Sequence, residues 1–101
     1  MRQINEVYRE KKAHVEKLNE AFSVAGNIKR IEYARDPITG EEVVIIIDST
    51  LRPHYVLVTA NSLEATLDEI CLFALNKKPT GYVEDFKTCA ALAKLFYREG
   101  A

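Results

Sequence analysis

The chain has 101 residues, 48% of them hydrophobic and 29% charged, with a formal net charge of −1. That is enough for one globular domain with a modest core, and too apolar for a disordered chain. A net charge near zero also argues against bulk attraction to nucleic acid or to an anionic membrane.

Residues 1–35 carry a local net charge of +3 and residues 36–101 one of −4, an asymmetry mild enough to reflect helix solvation. The opening residues, Met1-Arg2-Gln3-Ile4-Asn5-Glu6, lack the apolar region of a secretory signal, and no apolar run approaches the length of a membrane span. With Cys71 and Cys89 as the two cysteines, the expectation is a cytoplasmic protein with free thiols.

In chain order, residues 2–24 read as an amphipathic helix. Ile4, Val7, Tyr8, Val15, Leu18 and Phe22 recur at helical spacing, with Lys11 interrupting the stripe and able to lay its methylenes along it. Gly26 and Asn27 suit the C-cap. Residues 28–35 read as a half-buried strand with Ile31 and Tyr33 on one face and Arg30 and Glu32 on the other. Asp36-Pro37-Ile38-Thr39-Gly40 has the chemistry of a hairpin loop.

Next comes the strongest signal in the sequence, Glu42 to Ser49, with five consecutive β-branched apolar residues from Val43 to Ile47. Side chains alternate across a strand, so both faces of this one are apolar and both need cover. It is expected at the centre of the sheet. Pro53 belongs at the start or edge of a third strand over 54–59. Asn61 then begins a second helix, with Glu64 completing a capping box. Its stripe is Leu63, Leu67, Ile70, Cys71 and Ala74, widened by Leu72, Phe73 and Leu75. Residues 76–81 break it. A third helix is expected over 82–98, with Val83, Phe86, Cys89, Ala90, Leu92, Ala93, Phe96 and Tyr97 on its apolar side and Glu84, Asp85, Lys94 and Arg98 complementing its dipole. The sum is an α+β fold of order α-β-β-β-α-α, a three-stranded antiparallel meander with helices packed on it, forming a single domain over 1–101.

The residue types that carry chemistry do not converge along the sequence. His14 and His54 have no second ligand at metal spacing. Cys71 and Cys89 form no Cys-x-x-Cys and read as small apolar core residues on adjoining helices. The acidic pairs Glu41-Glu42, Asp68-Glu69 and Glu84-Asp85 fall where helix dipoles or solvent suit them. The glycines are isolated, and Ser49, Thr50 and Ser62 lack a His-Asp partner pattern. No metal, cofactor or catalytic residue is therefore expected. The element order is shared with the double-stranded RNA-binding domain, which presents Lys to the RNA backbone at the start of its second helix. Here that position holds Asn61-Ser62-Leu63-Glu64, then Asp68 and Glu69, which would repel phosphate. The likeness stops at the order.

Three functional expectations follow. The first is a small non-catalytic binding domain that forms a homodimer or docks on another protein, of the kind common among accessory proteins of bacteria, phages and mobile elements. It would use the second sheet face or a strand edge, through Arg30, Glu32, Val44, Ile46, His54 and Tyr55. The second is nucleic-acid binding through Arg2, Arg9, Lys12, Lys29, Arg30 and Arg35, opposed by the interspersed Glu residues. The third is an enzyme or small-ligand binder with a pocket between sheet and helices, using Tyr33, Tyr55 or His54.

Overall fold

The computed structural model describes residues 4–24, 26–36, 38–58 and 62–97, with the side chains of Ile4, Asn5, Ser23 and Tyr97 outside the description. Its elements are α1 (Ile4–Ser23), β1 (Ile28–Arg35), β2 (Glu42–Asp48), β3 (Pro53–Leu57), α2 (Leu63–Ala74) and α3 (Phe86–Tyr97). The strands form an antiparallel sheet in the order β1-β2-β3. The expected α+β meander is the observed one, and β2 is its central strand.

The register explains how the two faces fill. Tyr33, Val44 and Val56 form one cross-strand row; Glu32, Ile45 and Tyr55 form the next, facing the other way. On the first face Val44 and Ile46, with Ile31, Tyr33 and Val56, pack against Val15 of α1 and Leu63, Leu67 and Ile70 of α2. On the second face Val43, Ile45 and Tyr55 pack beneath α3 through Leu92, with Cys89, Ala93 and Phe96 completing the helical stripe. Each Val or Ile so buried is worth about 1.5–3 kcal/mol relative to exposure, so this one strand anchors two layers.

The edges differ. Asp36 N–H donates to the Glu41 carbonyl and Val58 N–H to the Glu42 carbonyl, which fixes the phase of both ladders. Alternation then turns the main-chain groups of Tyr55 and Leu57 outward from β3. They are met there: Leu57 N–H donates to the Gly81 carbonyl at 3.0 Å, and Val83 N–H to the Tyr55 carbonyl at 2.9 Å. The segment from Gly81 to Val83 thus seals the β3 edge. At the Asp36–Glu41 turn, the Asp36 carboxylate accepts from Ile38 N–H and Thr39 Oγ1, and Gly40 takes φ +77°.

Several expectations change. Residues 82–85 are not helical, because Val83 is hydrogen-bonded to β3 and Tyr82 bridges Val56. The α3 N-cap is Asp85, whose carboxylate accepts from Thr88 N–H at 2.7 Å. Phe86 is 84% exposed and not on the buried side of α3. The α2 cap is Ser62, accepting from Ala65 N–H; Asn61 and Arg98 lie outside the described residues. Leu75 is 66% exposed, so α2 is not buried on that side. Cys71 is exposed on α2 and Cys89 half-buried on α3, across the sheet from each other rather than on adjoining helices. The Tyr55 hydroxyl, shut beneath α3, meets no hydrogen-bond partner among the described residues.

Gly81 is specific to the sealed edge. It holds φ +86°, and a Cβ there would lie 2.6 Å from the Leu57 carbonyl oxygen. Gly81→Ala is expected to destabilise the fold by about 1–3 kcal/mol, read by chemical denaturation, with amide exchange accelerated at Leu57.

Candidate functional site

Against the sealed β3 edge stands the edge of β1. The spacing of Tyr8, Lys12 and Glu16, four residues apart, places them on one side of α1, and Asn19 continues that stripe. Asn19 Nδ2 donates to the Ile31 carbonyl at 2.8 Å, and its Oδ1 accepts from Ile31 N–H. A side-chain amide therefore takes the place of a neighbouring strand at that residue. Beyond it opens a cleft of about 310 Å3. Five consecutive residues of β1, Arg30 to Ala34, line it. Neighbouring strand residues point to opposite faces, so a cleft touching all five lies along the edge and not on a face.

Tyr8, Lys12 and Glu16 form the α1 wall, and Ile45 and Phe96 close the side toward α3. The Tyr8 and Tyr33 rings lie 5.5 Å apart. Tyr33 is fixed from behind: its hydroxyl donates to Glu42 Oε2 at 2.7 Å, and Lys11 Nζ reaches both Glu42 oxygens at 2.9 and 3.0 Å. Burial, then the Glu42 hydrogen bond and charge, push the Tyr33 phenol well above its ordinary value, so it stays a neutral donor. The rim carries Lys12 and Arg30 beside Glu16 and Glu32, with Arg30 Nε 3.3 Å from Glu32 Oε1. The site thus has aromatic walls and a rim of balanced charge.

A second polar cluster lies at the other end of the sheet. His54 Nε2 is 2.8 Å from Asp48 Oδ2 and His54 Nδ1 is 2.8 Å from the Tyr82 hydroxyl. With its proton on Nε2 the ring donates to Asp48, and its Nδ1 shares a hydrogen bond with the Tyr82 hydroxyl. The Phe73 ring covers it, 5.0 Å between centroids. Hydrogen bonds from His54, from Thr50 Oγ1 and from the Arg52 and Thr50 main chain hold the Asp48 carboxyl well below the usual carboxylate range. Burial, with the nearby Cys89 next, pushes the Tyr82 phenol up. The chain ties the β2–β3 turn to the segment that seals β3.

The structure scatters the expected interface set. Val44 and Ile46 are fully buried beneath α1 and α2, and Tyr55 beneath α3, so none offers a surface. His54 is engaged by Asp48 and Tyr82. Only Arg30 and Glu32 reach the cleft. Tyr33, Tyr55 and His54 do not converge either: Tyr33 lines the cleft, while the others lie on opposite faces of β3. Of the basic set, Lys12 and Arg30 line the cleft among acidic neighbours, Arg9 and Lys29 are exposed, and Arg35 is half-buried; Arg2 lies outside the described residues. Sequence reading missed Tyr8, Glu16, Asn19 and Phe96. Tyr8, Glu16 and Asn19 share a helical stripe that ends in a capping-type amide, which is the signal that was there to find.

Among the described residues no group of three His, Cys, Asp or Glu is placed to hold a metal ion, and no helix is long and apolar enough to cross a membrane. No family model, curated protein or solved structure matches this chain.

Two outcomes are expected. Asn19→Ala strips the Ile31 amide and carbonyl of their partner and destabilises the fold by about 1–3 kcal/mol, measured by urea unfolding. The depressed Asp48 carboxyl stabilises the fold above its unfolded value, and that stability is lost as pH falls below about 4. Asp48→Asn should therefore be less stable at neutral pH and show a flatter acid limb in thermal melts.

Proposed function

We propose that this chain is a non-catalytic binding domain that docks a polypeptide partner in the cleft along β1. The carrying observation is the asymmetry of the sheet: β3 is sealed by the chain itself, whereas β1 meets one side-chain amide at Ile31 and then an aromatic-walled cleft. The ladder phase that gives Ile31 to Asn19 turns the Tyr33 main-chain groups to the same side. An extended segment laid along β1 would follow that side and place an apolar side chain between Tyr8 and Phe96. This is recognition by strand addition, in which the main chain supplies affinity and alternate side-chain pockets supply selectivity. The balanced rim charges favour a partner carrying both signs over a polyanion.

The test is display selection of peptides on the folded chain, followed by NMR shift mapping. Selected peptides should shift the amides of residues 30–34 together with Tyr8, Lys12 and Glu16. Tyr8→Ala should weaken them about tenfold, the scale of a lost aromatic contact. Peptides that map elsewhere, or no selectable peptide, would refute the reading.

A further inference from the structure

The outer side of the α1–α2 pair is a second surface, independent of the cleft. α1 leads into β1 and α2 follows β3, and β1 and β3 are parallel to each other across the meander, so the two helices run in the same sense. Asn27 Nδ2 donates to the Phe73 carbonyl at 2.7 Å and ties their C-terminal ends together. Between them lies an apolar groove of about 340 Å3, floored by Leu18, Phe22, Leu67 and Ala74.

Each bank of this groove is an exposed stripe. On the α1 side His14, Lys17, Ala21 and Val24 follow at spacings of three and four; on the α2 side Glu64, Asp68, Cys71 and Leu75 do the same. All eight are exposed, Val24 at 86% and Leu75 at 66%. Leu18, Ala21 and Phe22 of α1 line the groove together with Leu67, Cys71 and Ala74 of α2, which sets the two banks side by side. Each is charged toward its N-terminal half and apolar toward its C-terminal half. They differ in sign: the α1 bank brings Lys17, and α2, which contains no Lys or Arg, brings Glu64 and Asp68.

A surface whose two banks carry opposite charge at one level and apolar side chains at another is complementary to itself. A two-fold axis parallel to the helices sets the α1 bank of one copy beside the α2 bank of the other, pairing Lys17 with the second copy's acidic bank at the level of Asp68. The apolar ends meet at the same time. We infer that the groove is filled by a second copy of this chain, giving a parallel four-helix layer between two sheets, with the apolar residues supplying affinity and the charges fixing register.

Sedimentation equilibrium on the full chain tests this. Dimer is expected at high concentration and monomer on dilution. Lys17→Asp and Asp68→Lys should each weaken the dimer at least about tenfold by opposing like charges, and the two together should restore it. Leu75→Glu should abolish it, with circular dichroism showing all four variants folded. Tyr8→Ala, which tests the cleft, should leave dimerisation unchanged, so the two readings stand or fall separately. A chain that stays monomeric at every concentration would leave the groove to a helix of some other protein and overturn the inference. So would a dimer indifferent to Leu75→Glu, or a charge swap that fails to restore pairing.

Discussion

The architecture depends on the need of β2 for cover above and below. Val43, Val44, Ile45 and Ile46 are each shielded almost completely, and they alternate between the two faces. No single helix layer can satisfy such a strand. The chain places α1 and α2 on one side and brings α3 round to the other. Two consequences follow. The second sheet face is interior, so any recognition surface has to be built from edges and helix exteriors. And because β2 lies between β1 and β3, the sheet has two edges to manage with the chain that remains.

Those edges are managed by different chemistry. The β3 edge is closed by main chain, at a position where only glycine fits beside Leu57. The β1 edge is closed at Ile31 by the amide of Asn19, a shorter device that leaves the following residues beside a cleft. α1 is thus the element on which the exterior is organised. One side packs Val15 into the core, a second carries Tyr8, Lys12, Glu16 and Asn19 toward β1, and a third forms a bank of the apolar groove. Lys11, which breaks the apolar stripe, is held against Glu42 and through it fixes Tyr33.

What could be read from the sequence follows the range of the interactions involved. β2 was legible because two-sided apolarity is a local pattern, and β1 because Ile31 and Tyr33 alternate with Arg30 and Glu32. The start of α3 was not. Val83 and Phe86 fit a helical period, but the Val83 main chain is claimed by Tyr55, nearly thirty residues earlier, and the helix waits for the Asp85 cap. Asn61 and Ser62 are both good capping residues, and composition alone does not choose between them. The Asp48–His54–Tyr82 chain joins residues that only the folded β3 edge brings together. The cleft was hidden for a similar reason: an edge strand reveals itself as open only once the other edge is known to be sealed. Cys71 was misplaced because the far side of α2 is as apolar as a core-facing one, the same property that makes the groove.

The Tyr55 hydroxyl gives the second face an internal weakness. Among the described residues this phenol meets no acceptor, and a buried hydroxyl in that position forgoes a hydrogen bond worth about 1–3 kcal/mol, which it regains as soon as water reaches it. Lifting α3 is therefore cheaper than the apolar contacts of Leu92 and Phe96 alone would make it. The cover of the second face thus carries a polar cost, among the described residues, that offsets part of the apolar hold on α3.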